Sequence, residues 1–183
     1  FPLGSPMSQS ALQDDVKGNC CGCCDLNARA VPRVTRRMGA VALLLHIVGF
    51  CAGQIPFFVA NADKSADFGG AWIIFVVAPS VAFWLLGVVA ALLLLPELSK
   101  SCFGGDPLNE CLYCAALVIS IIAGALHGIL GFIELMVFWV TGVSNWSGGA
   151  DVIAGLLTLK SFLCFGSNIA CAFVAGAAKD VAR

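Results

Sequence analysis

The chain has 183 residues, of which 60% are hydrophobic and only 11% charged, with a formal net charge of −1. A soluble domain carries about 25% charged residues, so most of this length is excluded from forming a water-soluble catalytic domain. The near-neutral charge, with its one basic cluster beside an apolar run, excludes a nucleic-acid partner.

Residues 1–6, Phe-Pro-Leu-Gly-Ser-Pro, read as the remnant of an expression tag, with Met7 as the native start. Residues 7–37 form a polar, basic, cysteine-rich segment expected in the cytosol. It contains Cys20, Cys21, Cys23 and Cys24 ahead of Arg29, Arg33, Arg36 and Arg37. Cysteines just inside a membrane are typical S-acylation sites, and an acyl chain there would reinforce the first helix. Together with Cys102 these four are lipidation candidates. Four thiols are also soft ligands for zinc or copper(I), although zinc sites usually draw on two separated pairs.

Four apolar runs follow, at about 38–60, 70–96, 111–143 and 152–178. Each reaches the roughly 20 residues that a helix needs to cross a bilayer. The expected fold is an all-α integral membrane protein. Its transmembrane domain, 38–178, holds four helices in an up-down-up-down antiparallel bundle, because short connections force neighbours to alternate. A short C-terminus, 179–183, completes the chain. Lys and Arg concentrate in the N-terminal segment, at Lys100 in the second connection, and at Lys179 and Arg183. The first connection has only Lys64 and the third has none. The positive-inside rule then puts both termini in the cytosol. Trp72, Trp139 and Trp146 fall at the outer interface on this reading, and Trp84 falls mid-span. The third connection carries an Asn145-Trp146-Ser147 sequon, a weak glycosylation candidate so close to the bilayer.

Within the runs, Gly49/Gly53 and Gly124/Gly128 are small-residue pairs suited to close helix packing inside the bundle. Ser167, Cys171, Ala175 and Ala178 recur at helical spacing in the fourth run. Pro56 and Pro79 are expected to kink the first two helices, with the Ser80 hydroxyl taking up a freed carbonyl. The third run exceeds 30 residues, about 45 Å as a helix, against a hydrocarbon core of about 30 Å. It must tilt, break near its glycines or project from the membrane.

Charged groups inside a membrane are expensive and turn toward partners or cavities. Glu134 and Lys160 lie at matching distances from the turn between the third and fourth runs, so an interhelical ion pair is expected. His46 and His127 lie near mid-depth, and His127 shares a helix face with Glu134, seven residues on. These four residues either fix helix rotation or line a path for protons, ions or a small solute. Two mid-membrane histidines on separate helices are also possible axial ligands for one haem b.

The ten cysteines avoid the expected outer connections, which argues against a disulfide-stapled outer domain. The chain lacks the Trp-Gly-Leu-Trp-Cys-Cys pattern of claudins. Cys111-Leu112-Tyr113-Cys114 resembles the CxxC of quinone-linked disulfide-forming membrane enzymes, which implies thiol redox chemistry, though here the pair faces the cytosol. In outline, four helices with cytosolic termini and basic residues before the first resemble the tetraspan vesicle and junction proteins, including the MARVEL group. That outline implies a non-enzymatic protein of the plasma or vesicle membrane. Such a protein organises the bilayer or assembles with itself or membrane-protein partners. A small channel or transporter is the second expectation, and a haem or CxxC redox protein the third. No cofactor is legible.

Overall fold

A computed structural model describes residues 30–62, 77–96, 110–141 and 150–182, with side chains of the third segment described to 137. Every regular element among the described residues is a helix. Helix α1 (Val31–Gly49) runs through a π-helical turn (Phe50–Gln54) into α2 (Ile55–Ala62), and α3 (Ala78–Leu93), α4 (Glu110–Thr141) and α5 (Ala150–Ala182) follow. Three stretches, Val31–Ala62, Glu110–Val137 and Asp151–Ala182, are long and apolar enough to cross a membrane. Ala78–Leu93 is a shorter apolar helix, about 24 Å long at 1.5 Å per residue.

Several boundaries differ from the sequence expectation. The first helix begins at Val31 rather than 38, so Arg33, Arg36 and Arg37 belong to it. Pro32 explains the early start. It sits in the first turn, where its missing N–H is an orphan in any case. The last helix extends from Ala150 to Ala182, beyond the expected 152–178 at both ends. Helix α4 is continuous over 32 residues and does not break at its glycines. Cys20, Cys21, Cys23, Cys24, Cys102, Trp72, Trp146 and Asn145 lie outside the described residues.

Pro56 has a specific consequence. A proline cannot donate to the carbonyl four residues back, and its ring crowds that carbonyl. The chain widens just before it, and the Ile55 N–H bonds Phe50 O, five residues back. The extra residue in that turn puts Gln54 into the interior, fully buried. Pro79 stands in the first turn of α3, where it is tolerated.

The α1–α2 span packs against α3 and α5, and α4 packs against the same two. Polarity is inverted relative to a water-soluble protein. Val41, Leu44, Ile129, Phe132, Leu159 and Phe173 are exposed on the outside, while His46, Gln54, His127, Glu134, Lys160 and Asn168 are fully buried. Lipid tails are as apolar as leucine, so helix association in a bilayer relies on close backbone approach and hydrogen bonds. The glycines supply the approach. Cβ atoms on Gly49 and Gly53 would come within 3.0 Å of Lys160 Cγ and 3.1 Å of the Leu156 carbonyl. Gly124 and Gly128 also face α5, at Asn168 and Phe165. Both pairs serve packing within the bundle.

Two apolar clusters divide the interior. One gathers Phe57, Ala60, Val77, Leu130, Ala154 and Leu157, with Phe83, Val137 and Ile153 against it. The other gathers Val31, Ala42, Ala91, Leu94, Tyr113, Ala116, Cys171, Ala175 and Ala178. Most of the buried polar residues lie between them.

Candidate functional site

Each span contributes to one polar interior. On the first span, His46 and Gln54 are eight residues apart and share a face. Ser80, Trp84 and Gly87 stand on α3, His127 and Glu134 on α4, and Lys160, Ser161 and Asn168 on α5. Along the chain these positions fall between residues of the two apolar clusters, except Ser80 and Glu134. These two stand level with the first, Ser80 between Val77 and Phe83 and Glu134 between Leu130 and Val137.

Lys160 is fully buried, and its ammonium is held by two neutral oxygens. Nζ donates to Gln54 Oε1 at 2.8 Å and to Ser80 Oγ. The Ser80 hydroxyl in turn donates to Gln54 Oε1 at 3.1 Å. So three helical segments meet at one charge, and the Ser80 hydroxyl serves this triangle rather than a carbonyl freed by Pro79.

Glu134 does not hydrogen-bond to Lys160. The two are close enough for their charges to interact, but both carboxylate oxygens of Glu134 are buried without a hydrogen-bond partner. The Ser161 hydroxyl stands beside the carboxylate, near enough to interact with it although outside strict hydrogen-bond geometry. The pair expected from the sequence is thus an electrostatic neighbourhood and not a bonded bridge. The ammonium has taken an amide and a hydroxyl instead.

His46 and His127 are brought together. Their ring centroids are 6.1 Å apart, edge to face. Each Nδ1 lies close to the carbonyl one turn back, Ala42 O at 2.7 Å and Ala123 O at 2.8 Å. A carbonyl only accepts, so each Nδ1 carries the hydrogen and each Nε2 presents a lone pair. Asn168 Nδ2 donates to Cys164 O at 2.8 Å and reaches His46 Nε2 at 3.4 Å. Its 3.5 Å approach to His127 Nδ1 sets donor against donor and is only a contact. His127 Nε2 is buried with no partner. Trp84 Nε1 donates to the His46 carbonyl at 2.8 Å and its ring stacks on Phe50.

This arrangement does not suit a haem. The two imidazoles contact each other, and His46 Nε2 presses on the backbone of Gly87, where even a Cβ would overlap it. Among the described residues no group of three His, Cys, Asp or Glu side chains gathers to hold a metal ion. Cys111 and Cys114 are exposed on the first turns of α4, and Cys51 is exposed on the π-helical turn. Cys164 and Cys171 are buried.

The structure therefore brings together all four polar residues singled out from the sequence and adds Gln54, Ser80, Ser161 and Asn168. Gln54 and Asn168 had a sequence signal. Each is an amide inside an apolar run, eight residues from His46 and Lys160 respectively, although Gln54 reaches the inward face only through the extra residue of the π-helical turn. No family model matches the chain, and no curated protein or solved structure matches it.

Proposed function

We propose that this is a four-span membrane protein whose interior holds and passes a small polar solute or ion. Adjacent helices alternate in direction, with both termini on the cytosolic side. The alternation is supported by the composition of the two apolar clusters. One draws on the start of α1, the end of α3, the start of α4 and the end of α5; the other draws on the opposite stretches. The excess of Lys and Arg near the termini supports the orientation.

The observation that carries the transport reading is the buried Glu134 carboxylate with neither oxygen bonded. Polar residues that merely glue helices together find partners, because an unsatisfied buried acceptor costs about 1–3 kcal/mol. Here eight buried side-chain atoms among the described residues have none: Gln54 Nε2, Ser120 Oγ, His127 Nε2, Glu134 Oε1 and Oε2, Ser161 Oγ, Ser167 Oγ and Asn168 Oδ1. Such atoms are partners that a polar guest or water would satisfy. Apolar clusters at both ends fit a closed state in which these atoms are sealed off.

The membrane-organising reading rests instead on residues 20–24 and on the tetraspan outline, and it gives the interior only a structural part. Flux measurements separate the two. Purified protein in proteoliposomes is tested with potassium, chloride, protons and small neutral solutes, against empty liposomes. Transport requires at least one flux above background that changes in Glu134→Gln. No flux for any of them would leave the organising role.

A further inference from the structure

We infer that the guest of this interior is a proton, carried on a carboxylate oxygen of Glu134 and on Nε2 of His127. The inference rests on the transport reading and deepens it.

The partnerless atoms are unequal in kind. Both Glu134 oxygens, His127 Nε2 and Asn168 Oδ1 can only accept, whereas Gln54 Nε2 can only donate; the hydroxyls of Ser120, Ser161 and Ser167 can do either. Of these acceptors, only the Glu134 carboxylate and His127 Nε2 are bases that can take up a proton. The bareness of His127 Nε2 follows from geometry, since the Ala123 carbonyl has already claimed the hydrogen on Nδ1. His46 differs, because Asn168 Nδ2 approaches its Nε2.

The titratable groups facing this space are His46 from α1, His127 and Glu134 from α4, and Lys160 and Cys164 from α5. None comes from α3, which offers Ser80 and Trp84. Lys160 already shares its hydrogens with Gln54 and Ser80, so it acts as a fixed positive charge. That charge repels metal cations, and the described residues gather no metal-binding set. An anion would meet the Glu134 carboxylate and bare lone pairs. A proton is the species that satisfies acceptors without needing room.

Glu134 and His127 lie two turns apart on one face of α4, about 10 Å along the axis. That is too far for direct transfer, so a relay through Ser161 and intervening water is required. In the step, a proton from one aqueous phase adds to a Glu134 oxygen, giving the neutral acid. The acid releases it through the relay to His127 Nε2, giving imidazolium, which releases it toward the other phase. One positive charge crosses per proton, and potassium moving through valinomycin compensates it.

The test uses the full chain in proteoliposomes, with infrared pH-difference spectra and an internal pH dye. The wild type should show a carboxylic C=O band that grows on acidification, shifts in D2O and vanishes in Glu134→Gln. Proton uptake should fall in Glu134→Gln and in His127→Gln, with the Glu134 band retained in the latter. A hydrophobic carbodiimide should modify wild-type Glu134 faster at low pH, located by peptide mass, which needs no variant to fold. Wild-type proton flux in Glu134→Gln, or no titrating band together with no carbodiimide adduct at Glu134, overturns the inference. Solute flux without proton flux overturns it too, and the transport reading survives. A titrating Glu134 with no flux of any kind supports the proton site and removes transport.

Discussion

Gln54 and Lys160 should respond unequally to mutation, although each is the other's partner. Gln54 Oε1 accepts from both Lys160 Nζ, at 2.8 Å, and Ser80 Oγ, at 3.1 Å. Lys160→Met removes the buried charge along with its bonds and leaves the Ser80–Gln54 bond intact. The loss is two interhelical bonds, which in membrane bundles average about 0.6 kcal/mol and reach about 1.7. Relief of the desolvated ammonium offsets part of it, and the Glu134 carboxylate, deprived of its counter-charge, takes up a proton rather than stay charged, so a net loss of about 1 kcal/mol is expected. Gln54→Leu does the reverse. It keeps the ammonium fully buried with only one hydroxyl as acceptor, and losing a hydrogen bond to a buried charge costs about 1.5–3 kcal/mol. The middle of that range, about 2 kcal/mol, applies because the Glu134 charge stays within range. Gln54→Leu combined with Lys160→Met removes both sides and should fall close to Lys160→Met alone. The assay is reversible SDS unfolding in mixed micelles followed by far-UV circular dichroism. If Gln54→Leu is no worse than Lys160→Met, or if the double variant shows the full sum of the single losses, then the triangle does not hold the charge as described.

Three further outcomes are expected. Gly87→Ala forces a methyl into the His46 ring and should destabilise by about 1–3 kcal/mol as overpacking, whereas Gly155→Ala, with nothing within 4 Å, should be neutral or gain up to about 1 kcal/mol of helix propensity; thermal unfolding of the two compares them directly. Cys111 and Cys114 are exposed at the start of α4, Cys51 is exposed in mid-span where detergent chains cover it, and Cys164 and Cys171 are buried, so maleimide in mild detergent should label Cys111 and Cys114 and spare the other three until the bundle is unfolded, as read by mass spectrometry. Replacing Cys20, Cys21, Cys23 and Cys24 with serine should remove lipid mass from protein made in cells while the bundle still folds; stoichiometric zinc retained by the wild type would assign the cluster to metal instead.

Helix content was legible because membrane helices announce themselves by run length, and the bilayer leaves the backbone few alternatives. Helix ends were less so. The sequence expectation began the first helix where arginines give way to apolar residues. The fold begins it at Val31, because the Pro32 ring favours a first turn and arginines are welcome on a helix near a membrane surface. His46 and His127 were legible as interior groups because polar residues in a membrane run have few other places to go.

Partner choice was decided only in three dimensions. Glu134 and Lys160 looked paired because charge and depth matched along the chain. Hydrogen bonding depends instead on which helix face turns inward and on the rotation of each helix about its axis. Pro56 shifts that rotation by forcing a π-helical turn, which carries Gln54 into the bundle beside Ser80. The amide and the hydroxyl thereby reach the ammonium, and the carboxylate is left unbonded. The sequence by itself determined that these charges would be buried in an apolar bundle, since composition and run length leave them no other solvent. Tertiary structure alone decided which of them would be satisfied, because a hydrogen bond is set by ångström-scale geometry that periodicity along a chain does not encode.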